Sequence, residues 1–273
     1  MKFDAMLKAR WGAADTLLCV GLDPDPARFS ERLQHSPDSI YQFCTSIVDA
    51  TADFVCAFKP QIAYFASAGA EDALQRLIVY VRATHPAIPV ILDAKRGDMA
   101  STAQHYAREV FERYDAHAVT LSPYLGFDSI EPYLAYPDRG VFLLCRTSNA
   151  GGDDLQMLQV EGERLYERVA RLAVEWNRSG QLGLVVGATY PRELARVRAL
   201  AGEMPLLVPG IGAQGGDVEG SVKAGQTADG AGIVVNSSRA IIYASGNGDF
   251  AEAARHAAQK ARDEINRYRF ATA

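Results

Sequence analysis

The sequence contains no long apolar segment. No run of hydrophobic residues approaches the roughly 18 that a membrane-spanning helix needs. The first ten residues carry Lys2, Asp4, Lys8 and Arg10 and no apolar stretch of the kind found in a secretory signal. We therefore expect a soluble, cytoplasmic protein that has no membrane partner.

Cysteine is scarce, and strongly basic segments are absent. The formal net charge of −5 and the lack of a Lys/Arg run argue against a nucleic-acid partner. An anionic small substrate would therefore need a local positive site. Four isolated cysteines in apolar surroundings, without a Cys-x-x-Cys pair, predict buried free thiols rather than disulfides, metal ligands or a nucleophile. They are Cys19, Cys44, Cys56 and Cys145.

Short apolar runs alternate with helix-length segments along the chain. Because strands joined by helical crossovers pair in parallel, eight such units favour a closed (β/α)8 TIM barrel over an open sheet. The 273 residues suit one large α/β barrel, so we expect a single domain over residues 1–273. The predicted strands are residues 17–22, 54–58, 90–92, 118–121, 141–145, 182–186, 206–208 and 232–235.

Helix signals lie between the predicted strands. Ser36 followed by Pro37 predicts a helix start, and Pro191 predicts another. Residues 160–177 carry the amphipathic period of a helix.

Polar residues follow each of the predicted strands. Because the carboxyl ends of the strands meet at one face of such a barrel, these residues are expected to converge on an active site. Every strand must also end in polar loop residues, and this plainer explanation stays open for any one of them. They are Asp23, Lys59, Asp93, Lys95, Ser122, Ser148, Asn149, Thr189, the loop 210–216 and residues 237–239.

One strand end carries an unusual density of charge. The third predicted strand runs into Asp93-x-Lys95-x-x-Asp98-x-x-x-Thr102. Side chains alternate along a strand, so Asp93 and Lys95 point the same way and are expected to share one pocket. Gly97 permits a sharp turn, after which Asp98 opens the next predicted helix, beyond that inward row. The alternative is a solvated strand-to-helix loop, since charged side chains usually lie in water.

A phosphate site is predicted after the last two strands. Four glycines crowd into residues 210–216, including Gly212, and Arg239 follows the eighth predicted strand. Loops at these two places are the usual phosphate cradle of (β/α)8 barrels, where backbone N–H groups and a guanidinium bind the anion. Taken without this context, the glycines would mark only a turn.

These motifs together resemble the orotidine 5′-phosphate decarboxylase family, in its longer bacterial form. The resemblance covers all eight predicted barrel units, and its motif order and spacing are specific. It rests on Leu22-Asp23, Phe-Lys59-Pro, the Asp93 to Thr102 motif, Arg146-Thr-Ser148-Asn149, Pro209-Gly-Ile-Gly-Ala-Gln214-Gly-Gly and Asn-Ser-Ser-Arg239.

The resemblance implies decarboxylation of orotidine 5′-phosphate to UMP in pyrimidine synthesis, without a metal or an organic cofactor. It implies that Lys59, Asp93, Lys95 and Asp98 form an alternating charged network with Lys95 as the proton donor. It further implies a homodimer in which Asp98 and Thr102 reach the partner's active site.

The same resemblance suggests where the substrate is held. It suggests Asp23 and Lys59 near the ribose hydroxyls and Ser148 on the amide edge of the pyrimidine. Gln214 and Arg239 would bind the phosphate.

Three other functions compete with this interpretation. Related sugar-phosphate enzymes share the barrel and motif but use Mg²⁺, with an acidic ligand after the second strand where this chain has Lys59. A non-catalytic nucleotide-binding protein would need only the phosphate site. A Schiff-base aldolase would use Lys95, but flanking carboxylates would keep that amine protonated and poorly nucleophilic.

Overall fold

Ten strands lie in the part of the chain that the computed structural model describes, residues 1–211 and 217–270, and eight of them form one parallel sheet. The other two form a short hairpin. The strands are β1 (Leu18–Leu22), β2 (Ala57–Pro60), β3 (Ile91–Arg96), β4 (Ala118–Leu121), β5 (Gly140–Arg146), β6 (Gln159–Val160), β7 (Glu163–Arg164), β8 (Leu182–Val186), β9 (Leu206–Pro209) and β10 (Ile233–Ser237).

The parallel sheet closes into a barrel. Its strand order is β2, β1, β10, β9, β8, β5, β4, β3. The two outer strands of that order meet through parallel bridges that join Phe58 to Val90 and Gln61 to Asp93. The predicted (β/α)8 barrel is therefore confirmed.

Helices connect the strands on the outside of the barrel. Their bounds are α1 (Phe3–Ala13), α2 (Glu31–Gln34), α3 (Ser39–Thr51), α4 (Ile62–Ser67), α5 (Glu71–Thr84), α6 (Ala100–Arg108), α7 (Glu131–Leu134), α8 (Asp153–Gln156), α9 (Leu165–Trp176), α10 (Pro191–Ala201), α11 (Val218–Gly225), α12 (Arg239–Ile242) and α13 (Phe250–Arg267). A π-helical turn extends α6 over Glu109–Arg113. Within the described residues, none of these helices has the length and apolar character needed to cross a bilayer.

Most of the barrel strands are apolar because both of their faces are covered, although β3 carries charged residues toward its carboxyl end. All five residues of β1 are buried, as are those of β8. Helix α5 instead buries one stripe, which includes Leu74, Leu77, Ile78 and Val81, and exposes the rest. All four cysteines are buried and free.

Some boundaries differ from those predicted, and two of the differences concern the site. The second strand was expected at residues 54–58 but spans Ala57–Pro60, because Ala52–Phe54 forms a 3-10 turn. The third strand runs past its predicted end to Arg96. Lys59, Asp93 and Lys95 therefore lie within strands rather than in the loops that follow them.

Three predicted helices begin later than expected. The helix expected to open at Asp98 begins at Ala100. The helix expected at Ser36 begins at Ser39. Residues 159–164 form the β6–β7 hairpin instead of the first turn of a helix, because Glu161 and Gly162 take the positive φ values of a tight turn. Helix α9 follows at Leu165.

Candidate active site

Asp93 is the centre of an ion-pair network at the carboxyl ends of β2 and β3. Its Oδ2 accepts a hydrogen bond from Nζ of Lys59 at 2.7 Å, and its Oδ1 accepts one from Nζ of Lys95 at 2.6 Å. The side chain of Lys59 is only 6% exposed, whereas that of Lys95 is 47% exposed. One buried carboxylate therefore holds two ammonium groups, of which one is enclosed and the other is open to solvent.

The buried pair stays ionised because opposite charges outweigh burial. Burial lowers the pKa of Lys59, but the charges of Asp93 and Asp23 leave that pKa above its ordinary value. Burial raises the pKa of Asp93, while the charges of Lys59 and Lys95 and their hydrogen bonds hold it well below the ordinary value. The site thus presents fixed charges before any substrate arrives.

Thr120, on β4, adds a third bond to the central carboxylate. Its hydroxyl donates to Oδ1 of Asp93 at 2.9 Å, and the residue is 1% exposed. This contact could not be predicted, because a threonine in an apolar strand is ordinary. Only the alignment of β3 against β4 places it there.

Asp23 follows β1 and presents an unpaired oxygen. Its Oδ2 accepts a hydrogen bond from Oγ of Ser238 at 2.6 Å, and the hydroxyl of Tyr243 donates to its backbone carbonyl at 2.9 Å. Oδ1 of Asp23 is buried and has no hydrogen-bond partner in the described residues. A buried acceptor in this state favours a ligand that brings a donor, such as a hydroxyl.

Ser238 was predicted only as part of a polar strand end. Its bond to Asp23 depends on the close approach of β10 to β1, whose residues pair in parallel. A side chain at Gly21 would lie 2.8 Å from Cβ of Ser238, so the glycine in β1 makes room for this contact.

Asp98 and Thr102 lie apart from the network. Oδ1 of Asp98 accepts a hydrogen bond from the backbone N–H of Met99, and Thr102 is exposed on α6. No ion pair joins Asp98 to Lys95 within the described ranges. One chain thus brings together Lys59, Asp93 and Lys95 but not the two residues expected to serve a partner subunit.

Ser148 follows β5 in a segment tied to the barrel rim. Oε1 of Gln156 accepts the N–H of Thr147 at 2.9 Å, and its Nε2 donates to the Thr147 hydroxyl at 2.8 Å. The buried guanidinium of Arg146 pairs with Asp153 at 2.5 Å. These bonds hold the start of the loop, and with it Ser148, at the carboxyl ends of the strands.

Arg239 is the part of the predicted phosphate site that the structure places. It is exposed at the first position of α12, directly after β10. Gly212 and Gln214 lie outside the described residues.

The side chains at this end do not suit a metal ion. No group of three or more His, Cys, Asp or Glu residues is placed to hold one in the described parts of the chain. The carboxylate of Asp93 already binds two cations, and Lys59 would repel a third.

Eight parallel strands with a buried ion-pair network at their carboxyl ends define a (β/α)8 barrel enzyme. The model of the orotidine 5′-phosphate decarboxylase / HUMPS family matches residues 16–256. The chain belongs to this family, as the sequence resemblance predicted.

Named relatives agree with the family match. The chain is 67% identical to the orotidine 5′-phosphate decarboxylase of Azoarcus sp. (strain BH72), over 98% of this chain and 100% of that protein. It is 64% identical to the protein of the same name from Cupriavidus necator, over 98% and 99% of the two chains.

Solved structures share the fold. The Leishmania donovani OMP decarboxylase superimposes with a TM-score of 0.85 at 43% identity, over 100% of both chains. The Leishmania donovani UMP synthase superimposes with a TM-score of 0.87 at 45% identity, over 100% of this chain. This chain spans 57% of the length of the UMP synthase chain.

Proposed function

We propose that this chain decarboxylates orotidine 5′-phosphate to UMP and carbon dioxide, without a cofactor, in pyrimidine synthesis. The observation that carries the proposal is the network in which one buried carboxylate, Asp93, holds Lys59 and the solvent-open Lys95. The names of the relatives, at 67% and 64% identity over nearly the whole chain, support the same activity.

The network suits the chemistry of this reaction. When the bond between C6 and the carboxylate breaks, carbon dioxide leaves and the electron pair stays on C6 with no adjacent group to accept it. An ammonium fixed nearby stabilises that charge without reorganising. Nζ of Lys95 then donates a proton to C6, and its exposed side chain regains one from solvent.

The substrate contacts follow from the strand ends. The unpaired Oδ1 of Asp23, with Lys59 nearby, accepts a hydrogen bond from a ribose hydroxyl. Ser148 binds the amide edge of the pyrimidine, and Arg239 binds the phosphate with Gly212 and Gln214. The phosphate is remote from C6, so its binding energy serves to orient the ring over Lys95.

A decarboxylation assay in EDTA tests the activity. After prolonged chelation, the purified chain should still convert orotidine 5′-phosphate at its full rate, as measured by the loss of the substrate's absorbance. Activity that disappears with EDTA and returns with Mg²⁺ would support the metal-dependent relatives of the barrel. Binding of UMP without any turnover would support a non-catalytic nucleotide-binding protein.

We further propose that the enzyme is a homodimer whose subunits share active sites. Asp98 and Thr102 lie beside the network in sequence but do not join it within one chain. In a two-fold dimer they would complete the site of the partner subunit, with Asp98 as a second anion against Lys95.

Mixing two inactive variants tests the shared site. If Lys95→Ala and Asp98→Ala subunits exchange at equal amounts, half of the dimers are mixed, and one site in each is intact. About a quarter of all sites should then be active, if association is random. Lys95→Ala mixed with Asp93→Ala is the matched control and should recover nothing, because those two residues bond within one chain. Subunit exchange without recovery in the first mixture would place Asp98 in its own chain's site.

The substrate also bears on the location of the enzyme. Orotidine 5′-phosphate is a charged nucleotide that does not diffuse through bilayers. An enzyme that supplies UMP from it is expected in the cytoplasm, and fractionation of cells that express the chain would test this.

A further inference from the structure

The β3 strand bulges where it carries the reactive side chains. In the pairing with β4, Leu92 faces Val119 and Arg96 faces Leu121. Three residues of β3 therefore lie opposite the single residue Thr120. A bulge of this kind leaves backbone groups without their usual strand partners.

The hydroxyl of Thr120 takes the place of those partners. Its oxygen accepts the backbone N–H of Ala94 at 3.1 Å and that of Lys95 at 3.0 Å. Its proton goes to Oδ1 of Asp93 at 2.9 Å. One buried hydroxyl thus uses both of its acceptor sites and its donor on the three residues of the bulge.

The backbone at Lys95 needs such support. Lys95 has φ of 44°, in the left-handed region that costs a residue with a side chain about 1 kcal/mol or more. This conformation lets Lys95 turn its ammonium back to Asp93, two residues before it. The bond from the Lys95 N–H to Thr120 stabilises the turn.

We infer that Thr120 is a positioning residue for the reaction: its hydroxyl fixes the carboxylate of Asp93 and the backbone of Lys95 in the arrangement that stabilises the carbanion. The inference rests on the proposed decarboxylase function. Thr120 acts through Asp93 and Lys95 and need not touch the substrate. Stabilisation by fixed charges depends on their being in place before charge develops, so loosening them slows the chemical step more than it weakens binding.

Two variants at this position separate the hydroxyl from the shape of the side chain. Thr120→Val keeps the shape and removes the hydroxyl, and it should lower kcat about 10- to 100-fold, the effect of losing a hydrogen bond to a charged group. KM and the affinity for UMP should change less than about threefold, because ground-state binding does not depend on the turn. Thr120→Ser keeps the hydroxyl and should restore most of kcat.

Thr16→Val is the matched control. Thr16 is fully buried and also bridges two backbone groups: its hydroxyl donates to the carbonyl of Phe54 at 2.7 Å and accepts the N–H of Leu18 at 3.0 Å. It lies before β1, at the opposite end of the barrel. Its loss should lower the melting temperature as the Thr120→Val change does, while kcat of the folded enzyme stays at the wild-type value.

The possible outcomes distinguish a failure of the positioning role of Thr120 from a failure of the proposed decarboxylase function. A wild-type chain that fails to decarboxylate orotidine 5′-phosphate overturns the proposed function. An active wild type with Thr120→Val at full kcat overturns the positioning role alone. Equal loss of kcat in Thr120→Val and Thr16→Val, or no recovery in Thr120→Ser, would reduce Thr120 to a structural residue.

Discussion

The two ends of the barrel both bury charged side chains, but they pair them differently. At the amino end, the partly buried guanidinium of Arg198 donates to four backbone carbonyls at 2.5 to 2.8 Å, those of Gly202, Met204, Gly225 and Gly232. Burial lowers its pKa to about 10, so it remains charged at neutral pH. The hydrogen bonds of this cation therefore join segments of the chain.

At the carboxyl end, pairing is incomplete. Asp93 is shared by two lysines, and Lys95 keeps half of its side chain open to solvent. Oδ1 of Asp23 and Oδ1 of Asn236 are buried without a hydrogen-bond partner in the described residues. Buried charge alone therefore does not identify a functional site, whereas a buried carboxylate with an unpaired oxygen near a solvent-open ammonium favours the binding of a ligand.

Lys95→Ala should have the largest effect at the carboxyl end. It removes the ammonium that stabilises the carbanion and the proton donor, so kcat should fall at least about 10³-fold. UMP should still bind, because the lost interaction matures only as charge develops. Steady-state kinetics and calorimetric titration measure the two effects. Lys8→Ala, a change at an exposed lysine of α1, is the control, and equal losses of kcat would contradict the role of Lys95.

Arg198→Met should have the largest effect at the amino end, and the effect should be on stability. The change removes Arg198 as a donor to four carbonyls, of which that of Gly232 keeps the N–H of Leu206 at 2.9 Å, and it should lower the free energy of unfolding by about 3 kcal/mol. The kcat of the folded fraction should not change. Denaturant titration measures the loss, with Arg192→Met on the exposed face of α10 as the control. A loss of kcat in the folded fraction would contradict the claim that Arg198, at the amino end, serves stability and not catalysis.

Arg239→Ala should weaken the binding of phosphorylated ligands. A charge-assisted bond to phosphate contributes about 1.5 to 3 kcal/mol, so KM for orotidine 5′-phosphate should rise about 10- to 100-fold. The slow reaction of the phosphate-free nucleoside should hardly change, since it never uses the guanidinium. Comparable losses on both substrates would remove Arg239 from the phosphate site.

His117, at the amino end, should make stability depend on pH. Burial lowers its pKa to about 4, with further lowering by Arg82 and Arg139, so the folded protein favours the neutral ring. The neutral His117 therefore favours the folded state fully above the ordinary pKa of 6.5. This stabilisation is lost as the pH falls toward 4, because the unfolded chain takes up the proton first. Between pH 7 and pH 5 this group should cost about 1 to 2 kcal/mol of unfolding free energy.

The His117→Gln variant isolates that group. Its unfolding free energy should fall less than that of the wild type over the same pH range, as measured by denaturant titration. The exposed His256→Gln variant should behave as the wild type. A pH dependence that is unchanged in His117→Gln would contradict the assignment.

The barrel could be predicted because its buried parallel strands appear as apolar runs. The predicted bounds of β4 and β8 agree with the structure. The β6–β7 hairpin was missed because its residues are polar and adjoin an amphipathic helix. Its only local signal is Glu161-Gly162, a pair suited to positive φ.

The charged residues of the site could be predicted, but their partners could not. Asp93 and Lys95 lie two residues apart in one motif, which was enough to predict a shared pocket, although the contact itself depends on the β3 bulge and on the positive φ of Lys95. Thr120 lies on β4 and Ser238 directly follows β10, and their contacts depend on register, on the β3 bulge and on the space left by Gly21. No pattern in one sequence encodes those relations.

A crystal structure of the UMP complex would test the contrast between the two ends most directly. A cavity of about 580 Å³ at the amino end, lined by residues that include Lys8, Asp15 and Arg269, offers the nucleotide an alternative. We expect UMP at the carboxyl end, with a ribose hydroxyl hydrogen-bonded to Oδ1 of Asp23, C6 of the ring facing Nζ of Lys95 and the phosphate at Arg239. Nucleotide in the amino-end cavity, or away from Asp23 and Lys95, would contradict this expectation.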